Sequence, residues 1–175
     1  TPKHSKTPFK IGMNDEDIYG KVIVNVPAPQ LVDEGHILPP KVKIKKIDVV
    51  EDSRFKHEHD CDHVISTIDD IDIDKVLVCA RSTKQIVNLV SQSDFCIELN
   101  ARGYDWMYIT AKTGGVINGK KVDRDEFFTT LNQWGNDDTK KFVVLHHSIL
   151  SEGINVKGLE AAVFLRNMDY ITISQ

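Results

Sequence analysis

The stretch Ser148-Ile149-Leu150-Ser151-Glu152-Gly153-Ile154-Asn155-Val156-Lys157-Gly158 decides how this chain is read, because apolar runs bracket it. Lys141-Phe142-Val143-Val144-Leu145 lies upstream, and Ala161-Ala162-Val163-Phe164-Leu165 lies downstream. Apolar runs joined by a polar, glycine-bearing loop read as strands buried on both faces of a parallel sheet. Open α/β sheets place their ligands at loops that follow the carboxyl ends of such strands. The segment 148–158 is therefore the first candidate for a binding loop.

Working outward, the same grammar repeats. Lys75-Val76-Leu77-Val78-Cys79-Ala80 is a buried strand, and Ser82 or Thr83 can cap a following helix with Ile86, Leu89 and Val90 at helical spacing. Met107-Tyr108-Ile109-Thr110 is the next strand, and Asp123 caps a helix carrying Phe127, Phe128 and Leu131. Alternation of strand and helix implies right-handed crossovers, hence an α/β fold with a parallel sheet flanked by helices. Nearer the start, Lys21 to Val26 predicts a short strand, and Pro27 to Gly35 predicts one or two helical turns, begun by proline and stopped by glycine. Pro39-Pro40 breaks the chain before Lys41-Val42-Lys43-Ile44-Lys45, whose alternation of cation and β-branched residue marks a half-exposed edge strand. Residues 51–70 read as a loop plus a helix. Residues 1–20, without apolar period, read as a linker, which leaves 21–175 as the folded domain.

Composition narrows the function classes. The 175 residues are 41% hydrophobic and 27% charged, enough for one domain with an ordinary core. A net charge of -4 argues against a protein that grips nucleic acid by bulk charge, though not against a few local contacts. Cys61, Cys79 and Cys96 have no CxxC spacing, and Cys79 reads as a reduced core thiol. No window approaches a membrane span and no signal peptide is read, so a cytoplasmic chain without a membrane partner is expected. The first residue is not Met, and Tyr170 to Gln175 stops without a helix cap, so a fragment of a longer chain is expected.

With these elements in place, Leu150-Ser151-Glu152-Gly153-Ile154-Asn155 resembles motif V of superfamily 2 helicases, roughly leucine, Thr/Ser, Glu, Gly, apolar, Asp. The strand 75–80 followed by Arg81-Ser82-Thr83-Lys84-Gln85 sits where motif IV would be. Thr1-Pro2 is similar to the tail of motif III, and Gln175 to the first residue of motif VI. The segment from Pro29 to Pro39 is similar to the one linking the motor domains of helicases related to restriction-enzyme motor subunits. The resemblance is to the second, C-terminal RecA-like domain of a DEAD/DEAH-type helicase, and it covers nearly the whole chain. Motif V is its one sharp element.

That resemblance implies a fold and a set of roles. Residues 1–20 become the interdomain linker after motif III, and 21–175 the RecA-like domain, truncated at motif VI. Ser82, Thr83, Lys84, Thr110, Ser148 and Ser151 would face nucleic acid, while Gly153 and Asn155 would approach the nucleotide. Asn155 departs from the usual Asp, and an amide loses the charge-assisted part of a ribose hydrogen bond, about half its strength. The plainer readings are a helix cap for Ser82 or Thr83 and a left-handed loop residue for Asn155. ATP and Mg would be held mainly by the N-terminal RecA-like domain of the same parent chain. The nucleic acid would be single-stranded or duplex, with DNA ahead of RNA. The Walker A loop, the Asp-Glu box and the motif VI arginines are missing, so the fragment alone is expected to lack catalytic residues and activity. The alternative is a non-catalytic α/β module that binds nucleic acid or protein.

Three further clusters have plainer readings. Gly114-Gly115-Val116-Ile117-Asn118-Gly119-Lys120-Lys121 matches GxxxxGK but carries Lys121 where the Mg-binding hydroxyl belongs, and Asn118-Gly119 is a two-residue hairpin signal. His57, His59, Cys61 and His63 would share one face of a strand as metal ligands, but they lack paired knuckle spacing. No metal is expected there, and the imidazoles are expected to diverge. Asp69-Asp70-Ile71-Asp72-Ile73-Asp74 lacks the glycine and glutamate of a calcium loop and reads as a solvated turn.

Overall fold

The computed structural model describes residues 16–39, 41–48, 52–147 and 156–166. The chain divides into two compact units, 1–46 and 47–175, and each is described by itself. Among the described residues, no helix is long and apolar enough to cross a membrane.

The first unit holds two short helices, α1 (Glu16–Tyr19) and α2 (Ala28–Asp33). Pro27 stands at the N-cap of α2, and Gly35 follows its end with a φ of +76°, as the Pro27–Gly35 reading expects. The strands expected at Lys21–Val26 and Lys41–Lys45 do not form. Both segments are coil, and Ile23 and Ile44 are 95% and 90% exposed. Alternating β-branched residues favour a strand only where a neighbouring edge supplies ladder partners, and among the described residues none lies beside either segment.

The second unit begins, after a 3-10 turn at Ser53–Phe55, with α3 (Lys56–Ile71), whose apolar face buries Cys61, Val64, Ile65 and Ile68. Asp72 ends that helix in the left-handed conformation. There follow β1 (Lys75–Cys79), α4 (Thr83–Gln92), α5 (Phe95–Ala101), β2 (Asp105–Thr110), β3 (Gly114–Ile117), β4 (Lys120–Val122), α6 (Arg124–Asn136), β5 (Phe142–His146) and β6 (Ala161–Phe164). Asp123 caps α6 by accepting from the Glu126 N–H at 2.8 Å. Sequence periodicity does not reach α5, because only Phe95 and Leu99 of its seven residues are buried.

The six strands form one sheet in the order β4-β3-β2-β5-β1-β6. β2, β5, β1 and the edge strand β6 are mutually parallel, with Val76 opposite Val143, Cys79 opposite His146 and Met107 opposite Val144. The parallel sheet expected from the sequence is present as four of the strands, and the expected hairpin at Asn118-Gly119 makes the whole sheet mixed. β3 and β4 add to β2 as antiparallel strands. Their turn has positive φ at both Asn118 and Gly119, which gives the hairpin that this dipeptide predicts and leaves no phosphate-cradling loop.

Helices cover both faces. Val76, Val78, Trp106, Val143 and Leu145 pack under α3, α4 and α5 through Val64, Ile68, Ile86, Leu89, Phe95 and Leu99. The alternate residues Met107, Ile109, Phe142 and Val144 pack against Phe127 and Leu131 of α6. This three-layer arrangement is why the β1 and β5 runs contain no polar alternation.

Candidate functional site

The geometry that positions a site lies between β1 and β5. The chain leaving β1 runs through α4 and α5 to β2, on one side of the pair, whereas the chain leaving β5 runs to β6 on the other. Adjacent parallel strands with diverging connections mark a topological switch point, and the carboxyl ends of the strands there are the usual ligand position in open α/β sheets. Four chain segments start from this edge: Arg81 after β1, Ala111 after β2, His147 after β5 and Leu165 after β6.

Arg81–Lys84 is held by a chain of buried polar groups. Ser82 caps α4, its Oγ accepting from the Gln85 N–H at 3.1 Å. The Gln85 side chain accepts from the Arg81 N–H at 2.7 Å and donates to Asp60 at 2.7 Å, and Lys56 lies 3.3 Å from the other Asp60 oxygen. The start of α4 is therefore fastened to α3, with Arg81 and Lys84 exposed and Thr83 half-buried. A capping oxygen still carries a hydroxyl proton for an anion, and the macrodipole at this end favours one. Thr110, in contrast, is buried and closes the turn after β2, its Oγ1 2.6 Å from Thr113 Oγ1 and accepting from the Thr113 N–H. Ser148, Ser151, Gly153 and Asn155 lie outside the described residues, as do Thr1-Pro2 and Gln175.

Sequence reasoning does not reach three residues at this edge. His146 is buried at the end of β5 with Nε2 3.1 Å from Cys79 Sγ, and among the described residues its Nδ1 has no hydrogen-bond partner. His147 sets its Nδ1 3.2 Å from the Ala80 carbonyl oxygen. Arg166 closes the row after β6, near enough for its charge to act on both Cys79 and His146. The available signal was a His-His pair directly after an apolar run.

Burial sets the protonation of the Cys79–His146 pair. Burial pushes the Cys79 thiol up to about 11, although the Arg166 charge opposes it. Burial, then the charges of Arg166 and His147, holds His146 down to about 4. Both are neutral at neutral pH, whereas nucleophilic cysteines depend on a lowered thiol pKa. A stability prediction follows. His146 titrates near 6.5 when unfolded, so its contribution is fully present above that pH. It is lost as pH falls from 6.5 towards 4, by up to about 3 kcal/mol. Chemical denaturation across that range is expected to show the acid limb flattened in His146→Asn, and equal limbs would refute the depressed titration.

At the opposite end of the sheet, a clamp fixes the return of the chain from 148–155. Lys75, buried at the start of β1, donates from Nζ to the Gly135 carbonyl oxygen at 3.0 Å, at the C-terminus of α6. Glu160 accepts from the N–H groups of Asp74 and Lys75, at 3.0 and 3.3 Å. Val156 and Leu159 pack against the α6 side of the core.

The groove along α3 and the far ends of α4 and α5 is a poor anion site. Glu58, Asp62, Asp69, Asp94 and Glu98 line it, and its arginine, Arg102, is already paired with Asp69 at 2.8 Å and Glu98 at 2.5 Å. On α3 itself, the expected divergence of the imidazoles is corrected. His59 and His63, one turn apart, bring their Nε2 atoms to 3.0 Å. Cys61 is turned into the core. A helix rotates about 100° per residue, so the four residues that a strand would align are split between faces.

Comparison with protein-family models, with curated proteins and with solved structures finds no match.

Proposed function

We propose that this chain is the second RecA-like domain of an ATP-dependent superfamily 2 helicase or translocase, acting on nucleic acid with DNA ahead of RNA. The observation that carries the reading is one of position. Ser148 to Asn155, the motif V-like stretch, directly follows the strand on one side of the switch point, and Arg81-Ser82-Thr83-Lys84 follows the strand on its other side. In a motor of this kind the first stretch meets both nucleic acid and nucleotide, and the second meets backbone phosphate.

The proposed division of labour follows the residues. Arg81, Ser82 and Lys84 supply charge, a hydroxyl and the positive end of α4 to phosphates of one strand. Ser148 and Ser151 extend that track, while Gly153 and Asn155 supply the ribose-side wall of the ATP site. The phosphates of ATP and its Mg belong to the other motor domain, since this sequence has neither a P-loop hydroxyl nor an Asp-Glu pair beside the switch point. Thr110, satisfied within its own turn, is left out of the track.

The test uses the purified chain. It is expected to hydrolyse no ATP, with or without nucleic acid. It is expected to bind a labelled oligothymidylate weakly, with affinity that falls as salt rises. Lys84→Ala is expected to weaken binding and flatten the salt slope by about 0.7 to 1. Nucleic-acid-stimulated hydrolysis by this chain alone, or no salt-dependent binding, would overturn the reading.

A further inference from the structure

The His59–His63 pair lies on α3, outside the carboxyl-edge site, and its geometry is that of a two-toothed chelator. The rings stand edge to face, 78° apart in plane with centroids 4.2 Å apart, and their Nε2 atoms lie 3.0 Å from each other. The helix beneath them is packed against the core. Its opposite face is buried through Cys61, Val64, Ile65 and Ile68, and Thr67 Oγ1 donates to the His63 carbonyl oxygen at 2.6 Å. Two nearby groups are already committed: Asp60 to Lys56 and Gln85, and Cys61 to the core. Among the described residues, no group of three or more His, Cys, Asp or Glu converges on a common point. The protein thus offers two nitrogens, and solvent would complete the coordination.

The separation of the nitrogens favours one coordination geometry. With metal–nitrogen bonds of about 2.0–2.1 Å, nitrogens 3.0 Å apart subtend about 91–97° at the metal. Tetrahedral zinc would need them about 3.3–3.4 Å apart at the same bond length. An angle near 90° is the cis angle of square-planar or tetragonal coordination, which Cu(II) and Ni(II) favour with imidazole donors. We propose that His59 and His63, both half-buried, form a bidentate site for a tetragonal divalent cation, Cu(II) first and Ni(II) second, on the side of α3 away from Cys61. In its absence the same 3.0 Å contact is an N–H···N hydrogen bond between one donor and one acceptor ring. Binding exchanges that bond for two metal–nitrogen bonds without moving the helix.

The experiment titrates the full chain with copper(II), nickel(II) and zinc(II) chlorides separately, by calorimetry and by electron paramagnetic resonance for copper. One equivalent of copper is expected to show two equatorial nitrogens in its spectrum and to raise the thermal midpoint. His59→Ala and His63→Ala are each expected to weaken binding at least about tenfold, while His57→Ala leaves it unchanged. Circular dichroism of each variant separates a lost site from a lost fold, and His59→Gln serves as a second, milder removal. Copper binding that survives both His59→Ala and His63→Ala would overturn the proposal, because the ion would then be held elsewhere. Zinc binding more tightly than nickel would also overturn it, because the site would then have relaxed to tetrahedral geometry.

Discussion

Gly135→Ala is expected to lower the thermal midpoint of this chain by about 4–12 °C, a cost of about 2–3 kcal/mol. Alanine is the better helix former, by about 1 kcal/mol at an exposed interior position, so a naive propensity argument predicts stabilisation. Packing reverses the sign. A Cβ on Gly135 would sit 2.2 Å from the Lys157 carbonyl oxygen, and that atom is backbone, which cannot rotate aside. The 157–158 turn cannot simply retreat either. Gly158 has a φ of +78°, and the neighbouring Glu160 is tied to the N–H groups of Asp74 and Lys75. If α6 moves instead, the Gly135 carbonyl leaves the buried Lys75 ammonium, and an unpaired buried charge costs several kcal/mol. A differential scanning measurement decides it. An unchanged or higher midpoint would mean that the turn yields freely, and the clamp would then hold nothing.

How much of this was legible in the sequence depended on which residues solve their environment locally. The β1 and β5 runs announce themselves because both faces of those strands are buried, which leaves no polar alternation to confuse the reading. Ser82 and Asp123 are found as caps because a short polar side chain before an apolar-periodic helix has one strong use there. Asn118-Gly119 likewise names its own turn. The segments 21–26 and 41–45 fail for the converse reason. Their strand signal is conditional on a partner edge, and Lys41-Val42-Lys43-Ile44-Lys45 carries no information about whether one is present. Helix α5 is too short to show a period.

The site divides along the same line. Ser82 and Lys84 were reachable because a motif IV-like turn is contiguous in sequence. The Cys79–His146 contact joins positions 67 apart, and the Lys75–Gly135 contact joins positions 60 apart. Those pairs follow from the register of β1 on β5 and from where α6 ends, neither of which is a local property. Thr110 shows what a strand-end hydroxyl does not reveal in sequence, namely that Thr113 of its own turn lies within hydrogen-bond distance in the fold. The histidines of 57–63 depend on secondary structure alone. A strand would align all four ligands, whereas the helix that forms splits them into two pairs spaced by four, His57 with Cys61 and His59 with His63.

Gly153→Val carries the largest functional effect expected under the proposed function. In the intact parent motor it is expected to reduce nucleic-acid-stimulated ATP hydrolysis and ATP-driven movement by about a hundredfold or more. Glycine at this position of a motif V-like loop lets backbone approach a ligand that any Cβ would displace. A shift of about 1 Å in the alignment of reacting groups can by itself cost about a hundredfold in rate. Valine adds two methyl groups beyond that Cβ and stiffens the backbone as well. The proposal thus requires graded behaviour, with Gly153→Ala impaired less than Gly153→Val. Stability must stay apart from function for the test to discriminate. Each substitution is therefore made both in the 175-residue chain, where the thermal midpoint is read, and in the parent, where turnover and strand displacement are read. A folded Gly153→Val parent that hydrolyses ATP and moves at the wild-type rate would remove motif V from this loop, and with it the argument that the chain is half of a motor.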